Sequence, residues 1–426
     1  MLQTTFSFGR TGLTVSFPNG PQYSVIESRS QGPLADADAA IGAALDHPIG
    51  CTSLAELATG KRTAAISVCD ITRPAPNRQT LPPLLERLHA AGIPVEGVTI
   101  LIATGLHRGA TDEELQTILG PEIAARYRII NHDARAFDQH RSLGTTRSGT
   151  PVYIDRRFLD AELHITLGFI EQHLMLGFSG GRKLIVPGVA AQETIKVLHS
   201  SRFLREPLAT EGSIKGNPLH KEFLEIAAMA RHDFLLDVVL TKDRAISGVF
   251  AGAPVEAHAA GVDFVRRTSR IELPQLADAV ITSAAGDPLD LTLYQTVKGI
   301  TAATHIVKPG GRVLIVSRCE EGIGSPEFAR ALRNYTGHEA FLRSIVGTPV
   351  EVDQWQTEKL ALAGLRNKLL FYAPGVDASQ LGALGQHCFT DVNRAVDALL
   401  DGLPTGAHVA LIPEGPYAFA QVAEEK

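Results

Sequence analysis

"TAAISVCDITRPAPNRQTLPPLLERLHAAGIPVEGVTILIATGLH", residues 63–107, decides the fold. It opens on a short apolar run, TAAISVCD (63–70), that reads as a buried strand. TLPPLLERLHAAGIP (80–94) reads as a helix with its prolines near the start, where a missing N–H does least harm. GVTILIATG (97–105) is a second strand. Strand, helix and strand at this spacing argue for a parallel sheet covered by helices.

The same alternation extends outward. ATDEELQTILG (110–120) reads as a helix, with Thr111 and Glu114 at capping-box spacing. AELHITLGFI (161–170) is a further strand, and AAQETIKVLHSSRF (190–203) has helical spacing. The pattern restarts after RRTSRIELPQ (266–275). DAVITSAA (278–285), GRVLIVSRC (311–319), NKLLFYAPG (367–375) and AHVALIPEGP (407–416) read as strands of a second α/β unit. The expected fold class is therefore α/β, with two α/β domains, mainly parallel sheets and the active site in the cleft between them. The expected domains are 1–270 and 271–404, with 405–426 able to rejoin the first. MLQTTFSFGRTGLTVSFPNG (1–20) reads as a β-hairpin, not as a signal peptide.

A chain of 426 residues can bury a sizeable core and form two or three domains. Its net charge of -6 supplies no basic footprint for nucleic acid. No run approaches the roughly 20 apolar residues of a membrane span. Cys51, Cys69, Cys319 and Cys388 are scattered, with neither a zinc knot nor a disulfide framework. These features predict a reduced, soluble, cytoplasmic protein.

Polar residues gather where strands end. Asp70-Ile71-Thr72-Arg73-Pro74 follows the first strand, Thr104-Gly105-Leu106-His107 the second, and Glu171-Gln172-His173 the third. In the second unit, GDPLDLTLYQTVKG carries Tyr294, Gln295 and Lys298. Ligands of open α/β sheets bind beyond the carboxyl ends of strands. A single cleft would thus collect Asp70, Arg73, His107, His173 and Lys298. Each also has a plain structural reading, such as a helix cap for Asp70. His132, His140, His164, His220 and His232 keep the structural reading.

EQHLMLGFSGGRKLIVPGVA (171–190) is the densest segment. Its GFSGGRK turn offers consecutive N–H groups to an anion, and the helix starting near Gln192 adds its dipole. It is neither a P-loop nor GxGxxG. Lys183, among apolar neighbours, is either a nucleophile or an anion-pairing lysine. His199 alone does not make a metal site. From the residues, an anion cleft, a covalent site, a metal site and a tight turn all stay open.

DITRP, TGLH, EQHLMLGFSGGRK with its following PG, LH and YQTVKG together resemble the nickel-dependent lactate racemase family of 2-hydroxyacid racemases and epimerases. The resemblance runs from about residue 60 to 360 and is most specific over 168–190. It implies a nickel pincer nucleotide, a pyridinium mononucleotide with a thioamide and a thiocarboxylate flanking a carbon–nickel bond. It implies Lys183 as the covalent link, with Gly177, Ser179, Gly180, Gly181 and Arg182 against the cofactor. It implies His199 as the nickel ligand and His107 and His173 as the acid/base pair. Arg73 and Lys298 would hold the substrate carboxylate, with Asp70, Tyr294, Gln295 and Trp355 at further substrate positions. The implied partners are a small 2-hydroxyacid and, transiently, the proteins that make the cofactor. Two other readings compete: an NAD-dependent 2-hydroxyacid dehydrogenase, which lacks its GxGxxG here, and a non-catalytic carrier of the nickel nucleotide.

Overall fold

The computed structural model describes residues 2–422. They form two compact units. One comprises residues 30–199 and 206–268, and the other the described residues among 2–29, 200–205 and 269–422.

The first unit is built on a six-stranded sheet. Its strand order is Ile246–Gly252, Phe234–Leu240, Leu163–Phe169, Ala64–Cys69, Val98–Ala103, Arg128–Asn131. All neighbours are parallel except the first pair, a hairpin closing one edge. Ala64–Cys69 and Leu163–Phe169 are buried at every position. Full burial explains why they read as unbroken apolar runs: helices cover both faces of a parallel sheet. The intervening helix is Asn77–Ala90, three residues longer at its start than the expected segment. Thr111 and Glu114 form the expected capping box at the start of Asp112–Leu119.

The second unit holds another six-stranded sheet, ordered Cys388–Phe389, Lys368–Tyr372, Val307–Val316, Ala277–Ser283, His408–Ile412, Gln22–Val25. Every neighbouring pair is parallel. Both sheets place the chain in the mixed α/β class with mainly parallel strands.

The contact units differ from the expected domains at the start of the sequence, and the last strand, left open, falls in the second unit. Residues 2–29 lie in the second unit, because Gln22–Val25 pairs with His408–Ile412. The last strand stays there too, since Phe419–Val422 pairs with Arg270–Leu273. The main change of unit falls at Ser269. The expected hairpin forms as Leu2–Phe6 against Leu13–Phe17. Its Phe6, Val15 and Phe17 are buried with Val396, Leu399 and Leu411 in one apolar cluster.

Candidate active site

The first unit places its polar strand ends as parallel-sheet chemistry predicts. Ala64–Cys69 ends at Asp70, which is 6% exposed. Val98–Ala103 leads to His107, whose side chain is 42% exposed. The His107 Nδ1 lies 2.6 Å from Asp70 Oδ2. The other Asp70 oxygen accepts from the Thr72 hydroxyl at 2.7 Å. Burial pushes the Asp70 carboxyl up, but the His107 contact, the Arg73 charge and Thr72 outweigh it and hold it below the usual range. An ionised carboxylate is acceptor-only, so Nδ1 carries the proton and Nε2 is left with the lone pair. Asp70 was expected at the substrate; here one of its oxygens holds His107 and the other accepts from Thr72. Arg73 follows in the same turn, its Nη1 3.1 Å from both Thr72 oxygens.

The third strand end builds a different histidine. Gln172–His173 pairs antiparallel with Gly177–Phe178, a miniature hairpin. Inside it the Leu176 N–H donates to His173 Nδ1 at 3.2 Å. Nδ1 must therefore hold the lone pair, which leaves Nε2 to carry the proton in the neutral ring. Ser179 fastens the hairpin to the sheet. Its hydroxyl donates to the Phe169 carbonyl at 3.0 Å and accepts from the Glu171 N–H at 2.9 Å. Ser179 and Arg182 were expected against a cofactor, but the structure gives both inward-facing bonds. Arg182 is 2% exposed, with Nη1 2.7 Å from His258 Nε2 and Nη2 donating to the Phe178 carbonyl at 3.0 Å. Burial lowers its guanidinium to about 9. Here its guanidinium grips the underside of the turn.

The glycines are required by backbone shape. Gly177 has φ +82°, and a Cβ there would sit 2.1 Å from the Ser213 carbonyl oxygen. Gly180 has φ +85°, and its Cβ would lie 2.4 Å from Asp237 Oδ2. Both constraints favour glycine over any L side chain. The short turn Gly181–Leu184 follows and presents Lys183, half-buried. Its far side is pinned by Ser67, whose hydroxyl donates to the Leu184 carbonyl at 2.7 Å.

The predicted helix 190–203 is broken into Gln192–Leu198 and Ser201–Leu204, and His199 is the C-cap of the first piece. Its Nδ1 donates to the Ile195 carbonyl at 2.8 Å. That bond fixes the tautomer whose Nε2 bears the lone pair, the form that ligates metal. Burial, with a smaller contribution from the Lys183 charge, lowers the ring to about 4 and keeps it neutral.

The second unit places Tyr294, Gln295 and Lys298 on the helix Leu293–Ala303, all half-buried. Trp355 Nε1 donates to the Tyr294 hydroxyl at 3.1 Å, and Gln356 Nε2 donates to the Tyr294 carbonyl at 2.6 Å. Tyr294 and Trp355 thus form one aromatic pair although 61 positions separate them.

Among the described residues, His132, His140 and Asp155 offer metal-capable atoms within 4.8 Å of one another. Asp155 is already held by the Arg157 guanidinium, 2.8 Å from Oδ1. His132 contacts Asp155 and the Ala190 carbonyl through its two nitrogens. This buried ion network ties strand to loop, as the structural reading of His132 and His140 expects.

Comparison with known proteins gives this geometry a relative. Residues 8–212 match the lactate racemase N-terminal domain, and residues 273–418 match the lactate racemase C-terminal domain. The lactate racemase of Thermoanaerobacterium thermosaccharolyticum is 31% identical over 421 residues, 97% of this chain and 98% of that protein. The chain belongs to the lactate racemase family. The lactate racemase of Lactiplantibacillus plantarum is 34% identical over 374 residues, 87% of this chain and 88% of that protein. The structure of the T. thermosaccharolyticum lactate racemase apoprotein superposes with a TM-score of 0.89 at 30% identity, covering 99% of this chain and all (100%) of that one. A Thermotoga maritima protein shares the fold, with a TM-score of 0.69 at 17% identity over 92% of this chain and 100% of that one. No helix among the described residues is long and apolar enough to cross a membrane.

Sequence reasoning had no signal for the opposite proton positions of the two histidines, nor for Asp237 beneath the turn. The DITRP and TGLH motifs carried Asp70 and His107 separately, but their pairing needs the register of two strands.

Proposed function

We propose that this chain is a racemase or epimerase of a small 2-hydroxycarboxylic acid, lactate being the substrate named for its relatives. The observation that supports it most is a pair of histidines at two strand ends, each held through Nδ1 by a protein group. His107 offers a lone pair at Nε2, and His173 offers an N–H at Nε2. His107 is poised to take a hydroxyl proton at Nε2, and His173 can give one from Nε2 once its ring is protonated, as an inversion needs.

The residues fit a nickel pincer nucleotide. Lys183 would hold it covalently beside the Gly180–Gly181 turn, and His199 would ligate nickel through Nε2, the nitrogen left by its bond to Ile195. The nucleotide, when bound, supplies a hydride acceptor. The chain does the remaining work. Arg73 suits a bidentate grip on the substrate carboxylate, and Lys298 supplies a second cation for it. The C2 hydrogen is poorly acidic beside an ionised carboxylate, so leaving as hydride gives a stable 2-oxoacid. His107 takes the hydroxyl proton as C2 is oxidised. If the nucleotide returned hydride to the other face of the planar 2-oxoacid, His173 in its protonated form would supply the proton to the oxygen. In the reverse direction the two rings exchange roles. The Tyr294–Trp355 pair and Gln295 suit the wall of a substrate pocket.

Transient contact with the proteins that build the cofactor, and a cytoplasmic location that gives access to them, belong to the same reading. The deciding experiment uses substrate deuterated at C2. Hydride chemistry retains most deuterium in the product enantiomer, and loss to water at the rate of racemisation would sink it.

A further inference from the structure

The chain steps out of the first unit and back within a few residues. Residues 200–205 belong to the second unit, while the chain up to His199 and from Glu206 belongs to the first. The helix Ser201–Leu204 inside this excursion is a single turn. So short a helix has no stability of its own and must be held by what it packs on. Its Phe203 and Leu204 are buried. Polar groups at both of its ends lead to one holder, the helix Gln354–Arg366 of the second unit.

Glu358 on that helix is 0% exposed and offers one carboxylate oxygen to each end of the excursion. The Ser201 hydroxyl donates to Oε2 at 3.0 Å, and Arg205 Nε donates to Oε1 at 2.6 Å. Arg205 Nη2 continues to the Leu342 carbonyl at 2.8 Å. Lys359, next along the helix, donates from Nζ to the Leu204 carbonyl at 3.3 Å. A carboxylate so deeply buried is tolerated only with partners of this kind, and removing one leaves a charge stranded in a low dielectric. The holder is itself fixed, for every residue from Gln354 to Ala361 is buried. One turn before Glu358, Trp355 and Gln356 hold Tyr294 by its hydroxyl and its carbonyl. One helix thus fastens both the aromatic wall and the segment that follows His199.

His199 lies two peptide steps before Ser201, so their Cα atoms are at most about 7.6 Å apart. On its other side, its backbone N–H and its ring Nδ1 both donate to the Ile195 carbonyl, at 3.0 and 2.8 Å. The helix Gln192–Leu198 therefore sets the tautomer, but a residue at a helix end frays unless the chain beyond it is also held. We propose that Glu358 is a positioning residue for His199: by clamping Ser201 and Arg205 it fixes the chain leaving His199, and with it the place of the ring's Nε2. What this does for a metal ion rests on His199 being the nickel ligand; the clamp does not. Supports behind a ligating histidine govern how tightly the metal is kept.

The test challenges full-length, cofactor-loaded protein with excess EDTA and follows the nickel retained after desalting. Glu358→Gln should lose nickel about ten-fold faster than wild type, with the nucleotide mass on Lys183 unchanged. Arg205→Lys, which keeps a cation and a donor, should fall between the two. Asn367→Ala is the structural control. Asn367 caps the same helix, and its Nδ2 donates to the Lys308 carbonyl at 2.8 Å, so this variant should melt earlier yet lose nickel at the wild-type rate. Equal nickel loss in wild type and Glu358→Gln overturns the proposal, as does an acceleration of the same size in Asn367→Ala. If Glu358→Gln does not fold, Ser201→Ala decides: it removes only the hydroxyl bond, and wild-type nickel loss in it overturns the proposal. A second readout needs no metal. Diethyl pyrocarbonate should modify His199 of the Glu358→Gln apoprotein faster than in wild type, and the exposed His47 equally in both. An unchanged rate at His199 overturns the clamp. Nickel retained by His199→Ala would remove the metal role from His199, and the modification rates would then decide on the clamp alone.

Discussion

His107 and His173 are the same side chain held by two kinds of partner. The first leans on a carboxylate contributed by the next strand, and the second accepts a backbone N–H inside its own hairpin. Local architecture therefore sets which nitrogen carries the proton. A side-chain anion makes Nε2 an acceptor, and a main-chain donor makes Nε2 a donor. The two rings therefore start from different protonation sites although both present Nε2 as the second nitrogen.

The comparison breaks most completely where neither ring has anything to act on. Lys183→Ala should abolish turnover and eliminate the nucleotide-sized adduct on its peptide. An adduct that survives would move the link elsewhere. His199→Ala should leave circular dichroism unchanged while nickel content and activity fall together; full nickel retention would reassign the ligand.

Next come the rings themselves. His107→Ala and His173→Ala should each lower steady-state racemisation by about 100- to 10,000-fold. Rapid mixing of a single enantiomer with loaded protein should separate them, because each variant keeps the half-reaction served by its remaining histidine. Matching enantiomer preferences would refute the division of labour.

Asp70→Asn is a finer cut. It removes the anion that holds the His107 proton on Nδ1 while preserving shape. About 10- to 100-fold should be lost, concentrated in the half-reaction that uses His107 as base. Equal losses for both enantiomers would mean that Asp70 supports the site generally.

The smallest effect concerns acid stability. Burial lowers His199 to about 4 and His220 and His232 to about 3. The unfolded chain binds protons at these rings below its ordinary value of about 6.5, and the folded one does not. Their contribution to stability is therefore full above about pH 6.5 and is lost as pH falls toward the folded values. Asp237 acts oppositely: raised to about 7, it disfavours the fold as pH rises from about 4 to 7. Melting temperature should climb by several degrees between pH 5 and pH 7 in wild type, and Asp237→Asn should steepen that climb. A flat profile in both proteins would contradict this balance.

Much of this was legible in the chain. Fully buried strands such as Ala64–Cys69 announce themselves as apolar runs, and the motifs at their ends mark the site. What stayed hidden depends on pairing over long distances. Nothing local in FLLDVVL indicates that Phe234–Leu240 lies beside Leu163–Phe169, so Asp237 could not be placed beneath a turn some 60 residues earlier. The resemblance placed Arg182 against the cofactor; that its guanidinium runs toward His258 needs the fold. The helix through His199 was expected to continue, and its break at Ser200 followed from no proline or glycine.

The strand Gln22–Val25 completes a sheet beside His408–Ile412, a strand made long after it. Ser24 and His408, which share a hydrogen bond, are 384 positions apart. At about 5–20 residues per second, a ribosome takes roughly 20–80 s to cover that interval. Residues 22–25 should wait unpaired while residues 30–268 have already had time to fold around their own sheet. Stalled chains ending before residue 408 should accordingly be cut by protease within their first 29 residues and resist it at Ala64–Cys69, whereas released full-length chains should resist at both.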